Sequence, residues 1–318
     1  MRTPLPRAGL VLALTLAAAL TLPLTACTSP AKSGPPLPVP TKKRPPPRHS
    51  HVFVVVMENR AASEIVGSSN APYYNSLARR YAQPKRVFAI RHPSLPNYLA
   101  LLSGDTHGID SDCTSCHVNA TSLPDQLEAA GFKWKGYMED MPKPCYRGAG
   151  TSGYAKKHNP FMYFDAIRGS RSRCRRVVPY RQLSNDLFAR HLPDFSWITP
   201  NLCNDTHDCA VRTGDRFLAH LVPALLKEVG PHGFVVITWD EGTNDSGCCA
   251  SVAHGGRIAT TIAGPDVRRG AAPTGPYDHY STLRTIEHVF GLPALGHAKD
   301  AATVPLDAAF KRLPRLKH

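Results

Sequence analysis

The sequence is short of acidic residues, with 24 Asp and Glu against 38 Lys and Arg among its 318 residues, and only 19% of the chain is charged. Disordered chains are poor in apolar residues, and 42% of this one is hydrophobic, which excludes wholesale disorder. No internal repeat is visible, and no apolar run reaches the roughly 20 residues that span a bilayer. The chain therefore has enough apolar sequence for a buried core, and nothing in it predicts a membrane-spanning helix.

The first 27 residues contain no acid, and Arg2 and Arg7 precede an apolar run at 9–24. A positive start followed by a short apolar run and small residues is typical of an export signal. The Leu-x-Ala-Cys sequence that ends at Cys27 resembles a bacterial lipobox, in which the cysteine becomes the lipidated first residue of the mature protein. Residues 1–27 are therefore predicted to be a signal peptide with lipidation at Cys27. Ordinary cleavage near Ala26, which would leave a free secreted protein, is the alternative.

Residues 28–50 are rich in proline and contain five cations but no acid. Such a segment buries little apolar surface and favours an extended, polyproline-like shape, so we predict a linker that holds a folded domain at 51–318 away from the membrane. Much of the net charge of +14 lies in the leader and this linker. A basic linker suits anionic envelope polymer or lipid headgroups, and no role in nucleic-acid binding is expected.

The cysteine count agrees with export, because eight of the nine cysteines remain when Cys27 is set aside. An even number outside the cytosol predicts four disulfides, whose pairing the sequence leaves open. A zinc site that uses Cys113 and Cys116 is the alternative, although free thiolates do not persist in an oxidising compartment. Cys248 and Cys249 are adjacent, and each is expected to bond elsewhere than to its neighbour.

Short β-branched runs alternate with helical patterns after His51. Strands are predicted at His51–Val56, Lys85–Ile90, Phe132–Met138, Asp194–Ile198, Phe234–Trp239 and Arg257–Ala263. Helices are predicted at Tyr73–Tyr81, Pro96–Ser103, Ser122–Ala130, Phe161–Ile167, Arg181–His191, much of Asp208–Val229 and His279–Phe290. This alternation predicts one α/β domain with a mainly parallel central sheet and helices on both faces. Binding loops would then lie at the carboxyl ends of the strands.

Two polar pairs follow apolar strands directly. Glu58 and Asn59 follow the first strand, and Asp240 and Glu241 follow the strand at Phe234–Trp239. If those strands are neighbours, the two pairs meet at one edge of the sheet, and their carboxylate and amide oxygens predict a site for a divalent cation. Taken singly, either pair could be a helix cap or a surface turn.

Three further segments carry candidate site residues. Ser94 stands before a predicted helix, where it could cap the helix or, with its hydroxyl activated by a cation, act as a nucleophile. The segment at 199–208 places Asn201, Asp205 and His207 after a strand, either as a disulfide-bonded loop or as part of a site. His254 precedes two glycines, which would let the backbone approach a ligand closely.

Taken in order, these segments resemble the bacterial phosphoesterase family of secreted acid phosphatases and phosphocholine-type phospholipases C, within the alkaline phosphatase superfamily. The matching sequences run from His51 to Pro293 and are VVVMENR, HPSLPNYLALLSGDTHGI, TPNLCNDTHD, VVITWDEG, AHGGRIA and HYSTLRTIEHVFGLP. The family's phospholipases often have His-Gly-Gly directly after Asp-Glu, whereas residues 242–253 intervene here. The resemblance implies an alkaline phosphatase-like fold.

The resemblance also implies roles for particular residues. One divalent metal ion is expected on Glu58, Asn59, Ser94, Asp240 and Glu241. Ser94 is expected to be the nucleophile, and substrate contacts are expected from Asn97, Asn201 and Asp205. His207 and His254 are expected to stabilise the transition state or to assist the leaving group.

The implied reaction is hydrolysis of phosphate esters through a phosphoseryl intermediate, with an acid-leaning pH optimum if a histidine protonates the leaving oxygen. A phospholipase C that cleaves phosphodiester headgroups is the alternative within the same enzyme class. A non-catalytic envelope lipoprotein that binds an anion through the same loops is the alternative from a different class.

Overall fold

The structure is a computed structural model that describes residues 46–249 and 252–317. The predicted signal peptide at 1–27, the lipidation site at Cys27 and all but the end of the predicted linker at 28–50 lie outside the described residues. The division into leader, linker and a domain at 51–318 therefore stays a prediction. Within the described ranges no helix is both long enough and apolar enough to cross a membrane.

A six-stranded sheet lies at the centre of the described residues. Its strands, in spatial order, are β4 (Val177–Pro179), β3 (Trp134–Met138), β5 (Phe195–Thr199), β1 (Val52–Met57), β6 (Phe234–Trp239) and β8 (Thr260–Ala263). Neighbours from β4 to β6 pair in parallel, and β8 is antiparallel to β6. Every residue of β1 and β6 is buried, as expected for apolar strands covered on both faces. The predicted mainly parallel sheet is confirmed.

A second, smaller sheet corrects one predicted strand. Its strands in spatial order are β7 (Arg257–Ile258), β2 (Val87–Phe88) and β9 (Tyr277–Asp278). The single strand predicted at Arg257–Ala263 is wrong, because the chain changes sheets at Ala259. The two residues before Ala259 pair with β2, and the four after it pair with β6.

Two groups of helices cover the central sheet. The α-helices of the described residues are α1 (Ala62–Ile65), α2 (Pro72–Arg80), α3 (Ser94–Ser103), α4 (Leu123–Ala129), α5 (Asp165–Arg168), α6 (Arg171–Cys174), α7 (Arg181–Ala189), α8 (Val211–Glu228) and α9 (His279–Phe290). Helix α8 packs on α2, α7 and β6, whereas α3 packs on α4 and α9. One helix of each group, α4 and α7, contacts β3, and the complete burial of β1 and β6 agrees with helices on both faces of the sheet.

Two of the predicted helices whose bounds differ from the structure lie near the candidate site. Helix α3 begins at Ser94 rather than Pro96, because proline is tolerated within the first helical turn, where its missing N–H has no partner to lose. The helix predicted at Phe161–Ile167 is instead a 3₁₀ turn at Pro160–Met162 followed by α5. Both corrections affect residues close to the candidate site.

All eight cysteines of the described residues form disulfides, as predicted. The pairs are Cys113–Cys116, Cys145–Cys174, Cys203–Cys209 and Cys248–Cys249. The zinc alternative is excluded for the first pair, since both sulfurs are bonded. The expectation that Cys248 and Cys249 each form a disulfide with another cysteine is wrong. The loop between β6 and β7 turns back on itself there, and Cys248 donates its N–H to the Ala253 carbonyl.

Candidate active site

The polar residues that directly follow strands β1 and β6 lie next to each other. Met57 lies opposite Trp239 in the parallel register, so the residues that follow them are neighbours. Asn59 donates its backbone N–H to Asp240 Oδ1 at 2.9 Å, with a positive φ of 54°. Glu58 and Asp240 are both fully buried. The predicted convergence of the two polar pairs at one edge of the sheet is confirmed.

Ser94 lies between two of these carboxyl groups. As the first residue of α3 it is 1% exposed, and its Oγ is 3.1 Å from Glu58 Oε2 and 3.2 Å from Glu241 Oε1. A hydroxyl has one hydrogen and can donate it to only one of the two. The other carboxyl must then carry a proton, or a cation must separate it from the hydroxyl oxygen.

Four carboxyl groups crowd this edge of the sheet. Burial, followed by the charges of Asp240 and Asp205, raises the pKa of Glu58 well above its ordinary value. Burial raises the pKa of Asp205 well above its ordinary value too, and Asp240 adds to the rise. Burial and the neighbouring Glu241 raise the pKa of Asp240 to about 7. Burial also raises the pKa of Glu241, although His92 opposes it. If all four carboxyl groups were ionised, their negative charge would exceed what their immediate surroundings neutralise.

Several buried polar atoms in the cluster fit a bound cation. Among the described residues, Asp240 Oδ2, Asp205 Oδ2 and His158 Nε2 are buried without a hydrogen-bond partner. A buried polar atom left unpaired costs about 1–3 kcal/mol, so such a set is not expected without a ligand. Carboxylate oxygens with a hydroxyl are ligands that divalent cations prefer. The donor set therefore fits a divalent metal ion.

His158 is a site residue that the sequence reasoning missed. The residue is 2% exposed, and its Nε2 is 3.3 Å from Glu58 Oε1 and its Nδ1 3.5 Å from Asp205 Oδ2. Burial, helped by Lys157 and His207, lowers the pKa of His158 well below its ordinary value, which keeps the ring neutral. Ligand atoms of Glu58, His158 and His207 all lie within 4.8 Å of one another.

Tyr98 was also missed. It follows Ser94 by four residues on α3, so both side chains lie on one face of the helix. Its hydroxyl donates a hydrogen bond to Glu58 Oε1, and its ring stacks on His158 with the centroids 5.4 Å apart. The four-residue spacing within the serine motif is a signal that could have identified Tyr98. Nothing in the spacing of the 156–160 segment could have identified His158.

A lysine and an aspartate stand beside the start of α3. Asp112 accepts the Leu95 N–H at 3.0 Å through Oδ1 and the Lys157 Nζ at 2.8 Å through Oδ2. The Lys157 Nζ is 3.5 Å from His207 Nε2, and His207 Nδ1 is 2.6 Å from Asp208 Oδ1. Burial lowers the pKa of Lys157, but Asp112 outweighs burial and the net shift is upward. The charged ammonium therefore lies next to a predicted catalytic histidine.

Two more histidines lie around the serine turn. His92 Nδ1 contacts Glu241 Oε2, and this residue too was missed although it belongs to the serine motif. His254 is exposed, and its backbone N–H donates to Ile90 O at 2.7 Å, which places it beside the chain that leads into Ser94. The predicted His254 is thus near the site through its backbone, despite the insertion that precedes it.

Asn97 and Asn201, which were predicted to contact the substrate, bond to the loops around the site. Asn97 accepts the Ile90 and Arg91 N–H groups and donates to the Arg91 and Pro93 carbonyls, so its four hydrogen-bonding positions are used by the turn before Ser94. Asn201 Oδ1 accepts the Cys203 N–H, and its amide nitrogen donates to Asp140.

Asp205 is fully buried, and its Oδ1 accepts the His207 N–H at 2.7 Å. Its backbone carbonyl accepts the Glu58 N–H at 2.8 Å. Asp205 therefore joins the predicted histidine loop to the exit of β1.

Comparison with known proteins shows the family to which the chain belongs. The model of the phosphoesterase family matches residues 68–293, which include Ser94, Asp240 and Glu241. The chain is 34% identical over 262 residues to the phosphatidylinositol-3-phosphatase of Mycobacterium tuberculosis, covering 81% of this chain and 82% of that protein. The chain belongs to the phosphoesterase family. Glu58 and Asn59 precede the segment that the family model matches.

Fungal acid phosphatases are further relatives of this phosphoesterase. The chain is 30% identical over 256 residues to the acid phosphatase of Aspergillus fumigatus, covering 77% of this chain and 55% of that protein. It is 31% identical over 233 residues to the phosphate-repressible acid phosphatase of Penicillium chrysogenum, covering 70% of this chain and again 55% of the relative. The chain thus spans about half the length of these fungal relatives. The predicted phosphoric ester hydrolase of acid phosphatase type is confirmed, against the non-catalytic alternative.

Solved structures place the phosphoesterase in the predicted fold. An alkaline phosphatase superfamily protein from Vibrio parahaemolyticus is similar with a TM-score of 0.54 and 12% identity, covering 80% of this chain and 71% of that one. Murine ectonucleotide pyrophosphatase/phosphodiesterase 5 is similar with a TM-score of 0.51 and 12% identity, covering 78% and 97%. The alkaline phosphatase-like fold is confirmed.

Proposed function

We propose that this phosphoesterase hydrolyses phosphate monoesters with Ser94 as the nucleophile. The observation that carries the proposal is the position of the Ser94 Oγ between Glu58 and Glu241, at 3.1 and 3.2 Å. A serine that only caps a helix does not need buried carboxyl groups on both sides of its hydroxyl. A serine that acts as a nucleophile must lose its proton, and it therefore needs charged groups next to the hydroxyl.

A single divalent metal ion is the proposed cofactor. The residues that would hold it are Glu58, Asn59, Ser94, Asp240 and Glu241. When bound, the ion would supply positive charge that favours the ionised serine and offsets the charge of the phosphate. The unpartnered Asp240 Oδ2 supports this assignment.

The proposed reaction proceeds in two steps. The Ser94 hydroxyl gives its proton to the neighbouring Glu241 carboxylate and its oxygen forms a bond to phosphorus. The bond from phosphorus to the ester oxygen breaks at the same time, and a histidine, His207 or His254, gives the leaving oxygen a proton. Water then attacks the phosphoseryl phosphorus and the same histidine takes a proton from it. The bond from phosphorus to the Ser94 oxygen breaks, Glu241 returns the proton to that oxygen, and inorganic phosphate is released. Two inversions at phosphorus give net retention.

We assign positioning roles to three residues that were predicted to contact the substrate. Asn97 shapes the turn that presents Ser94, since its amide is fully used by backbone groups. Asn201 holds the loop after β5, and Asp205 orients that loop and faces His158. Tyr98, which donates to Glu58, holds that carboxylate in place from beneath.

Substitution of the serine tests the nucleophile. Ser94→Ala should lower kcat/KM for p-nitrophenyl phosphate by at least about 1000-fold, because the variant lacks the oxygen that attacks phosphorus. Ser103→Ala, at the other end of the same helix, is the matched control and should retain turnover. Near wild-type turnover by folded Ser94→Ala would overturn the proposal.

The proposed substrate is a phosphomonoester, including one carried by a lipid headgroup. The name of the mycobacterial relative describes a monoester on an inositol lipid, and the fungal relatives are named acid phosphatases. Rates on phosphatidylinositol 3-phosphate, p-nitrophenyl phosphate and phosphatidylcholine would separate the choices. Faster cleavage of phosphatidylcholine would favour the phospholipase C alternative.

We propose that the protein is exported, and held at the outer face of the cytoplasmic membrane by lipidated Cys27. Four disulfides in the described residues support an oxidising compartment. In a bacterial host, the wild-type chain should be found in the membrane fraction, and Cys27→Ser should remove it from that fraction. Equal membrane association of both would contradict the anchor.

A further inference from the structure

Lys157 is a charged residue beside the nucleophile, and the proposed reaction gives it no role. Its ammonium contacts Asp112, and the same Asp112 carboxylate accepts the N–H of Leu95, the residue after Ser94. On its other side the ammonium is 3.5 Å from His207 Nε2. One carboxylate thus links this lysine to the first turn of the helix that carries the serine.

The preceding lysine shows that this placement is specific. Lys156 Nζ donates to Thr114 O at 2.6 Å and lies 4.6 Å from the centre of the Tyr163 ring. Lys156 is buried, whereas the side chain of Lys157 is 22% exposed. Of this adjacent pair, Lys157 is therefore the one whose ammonium lies between Asp112 and His207.

The negative charge of a phosphomonoester requires a positive group at the site, and Lys157 can supply it. A phosphomonoester carries nearly two negative charges near neutral pH, whereas a diester carries one. Three carboxylates, those of Glu58, Asp240 and Glu241, would more than balance a divalent cation. A second positive group is then needed to bind the additional charge of a monoester.

We propose that Lys157 is a substrate-binding residue that contacts a non-bridging phosphate oxygen and selects phosphomonoesters over phosphodiesters. Asp112 holds the ammonium at the start of α3, and a lysine retains N–H groups beyond those directed at Asp112 and His207. This inference rests on the proposed function, since it concerns the phosphate that Ser94 attacks.

Two substrates that share a leaving group provide the test. Lys157→Gln should lower kcat/KM for p-nitrophenyl phosphate by about 30–100-fold, the range expected for a lost charge-assisted hydrogen bond. For methyl p-nitrophenyl phosphate, the loss should stay below about 5-fold. Lys157→Arg should restore most of the preference, and Lys156→Gln, the matched control, should leave the ratio of the two rates unchanged.

A second variant keeps the inference testable if Lys157→Gln does not fold. Asp112→Asn keeps an oxygen to accept the Leu95 N–H but removes the charge that competes with phosphate for Lys157. It should raise the monoester-to-diester ratio of kcat/KM by about 3–10-fold. Circular dichroism would establish that each variant is folded.

The outcomes separate this inference from the proposed function. Equal losses on both substrates in folded Lys157→Gln, or no loss on the monoester, would overturn the role of Lys157 and leave Ser94 untouched. A fall in the ratio for Asp112→Asn would do the same. Turnover that survives in Ser94→Ala would instead overturn the proposed function, and this inference with it.

Discussion

Two buried aspartates in different regions of the molecule have opposite surroundings. Asp186 lies on α7 and accepts hydrogen bonds from the Lys135 Nζ at 2.6 Å, the Tyr137 hydroxyl at 2.7 Å and the Gln182 amide at 3.0 Å. Asp240, at the exit of β6, has one carboxylate oxygen on the Asn59 N–H and the other without a hydrogen-bond partner among the described residues.

The difference distinguishes an aspartate whose charge stabilises the fold, Asp186, from one whose charge is available to bind a ligand, Asp240. A paired aspartate lowers the free energy of the folded state, whereas a cluster of like charges raises it and persists where function requires it. The carboxyl edge of the central sheet therefore carries the chemistry, and the flank at β3 and α7 carries stability.

The largest effect is expected from Asp240→Asn. The substitution keeps an oxygen for the Asn59 N–H but removes a charge from the proposed metal site, so kcat/KM should fall by at least about 1000-fold. Without added metal the melting temperature should stay the same or rise, because repulsion with the neighbouring Glu58 and Glu241 is relieved. Kinetics and thermal unfolding of one preparation measure both.

The matched variant Asp186→Asn should show the reverse. It leaves Lys135 without a charged partner, so the free energy of unfolding should fall by about 2 kcal/mol, while kcat/KM stays within about 2-fold of wild type. Urea unfolding gives the first quantity. If Asp240→Asn and Asp186→Asn both lost activity and both kept wild-type stability, the two regions would not differ as proposed.

A smaller effect is expected from Tyr98→Phe. Loss of the hydroxyl that donates to Glu58 should lower kcat by about 10-fold and weaken metal affinity, while a merely structural role would lower stability alone. Titration of the metal against activity separates the two. Unchanged metal affinity would show that Tyr98 does not position Glu58.

The smallest effect concerns a buried glutamate away from the site. Burial raises the pKa of Glu287 in α9 to about 8, although its Oε1 accepts the Leu295 N–H at 2.9 Å. The folded state then holds a proton that the unfolded state has released, so stability is full below the unfolded pKa and falls as pH rises towards 8.

Glu287→Gln should therefore flatten the decline of the melting temperature between pH 5 and pH 9, with kcat/KM at pH 7 unchanged. Thermal unfolding across that pH range checks the prediction. A decline as steep as in the wild-type protein would show that Glu287 is not its source.

Much of the fold could be predicted because its signals are local. Continuous apolar runs identified β1 and β6, and a parallel sheet places the exits of neighbouring strands side by side. The meeting of Glu58 with Asp240 could therefore be predicted on the condition that β1 and β6 are neighbours, and the structure shows that they are. The split at Ala259 could not be predicted, because the residues on either side of it look alike and only their partners in space differ.

The site was only partly predictable for the same reason. Ser94, Asp240 and Glu241 follow recognisable elements, whereas His158 comes from an irregular segment and reaches Glu58 only through the tertiary fold. Asn97 stands in a recognisable motif, but its full set of backbone hydrogen bonds is a property of the folded turn.

Metal content measured per chain is the most direct test of the central claim. The wild-type protein, purified by gel filtration in metal-free buffer after loading, should hold about one equivalent of a divalent metal ion by mass spectrometry. Asp240→Asn should hold almost none, and Asp186→Asn should match the wild-type protein. Full phosphatase activity in wild-type protein that holds no metal, or equal metal content in the Asp240→Asn variant, would contradict the account.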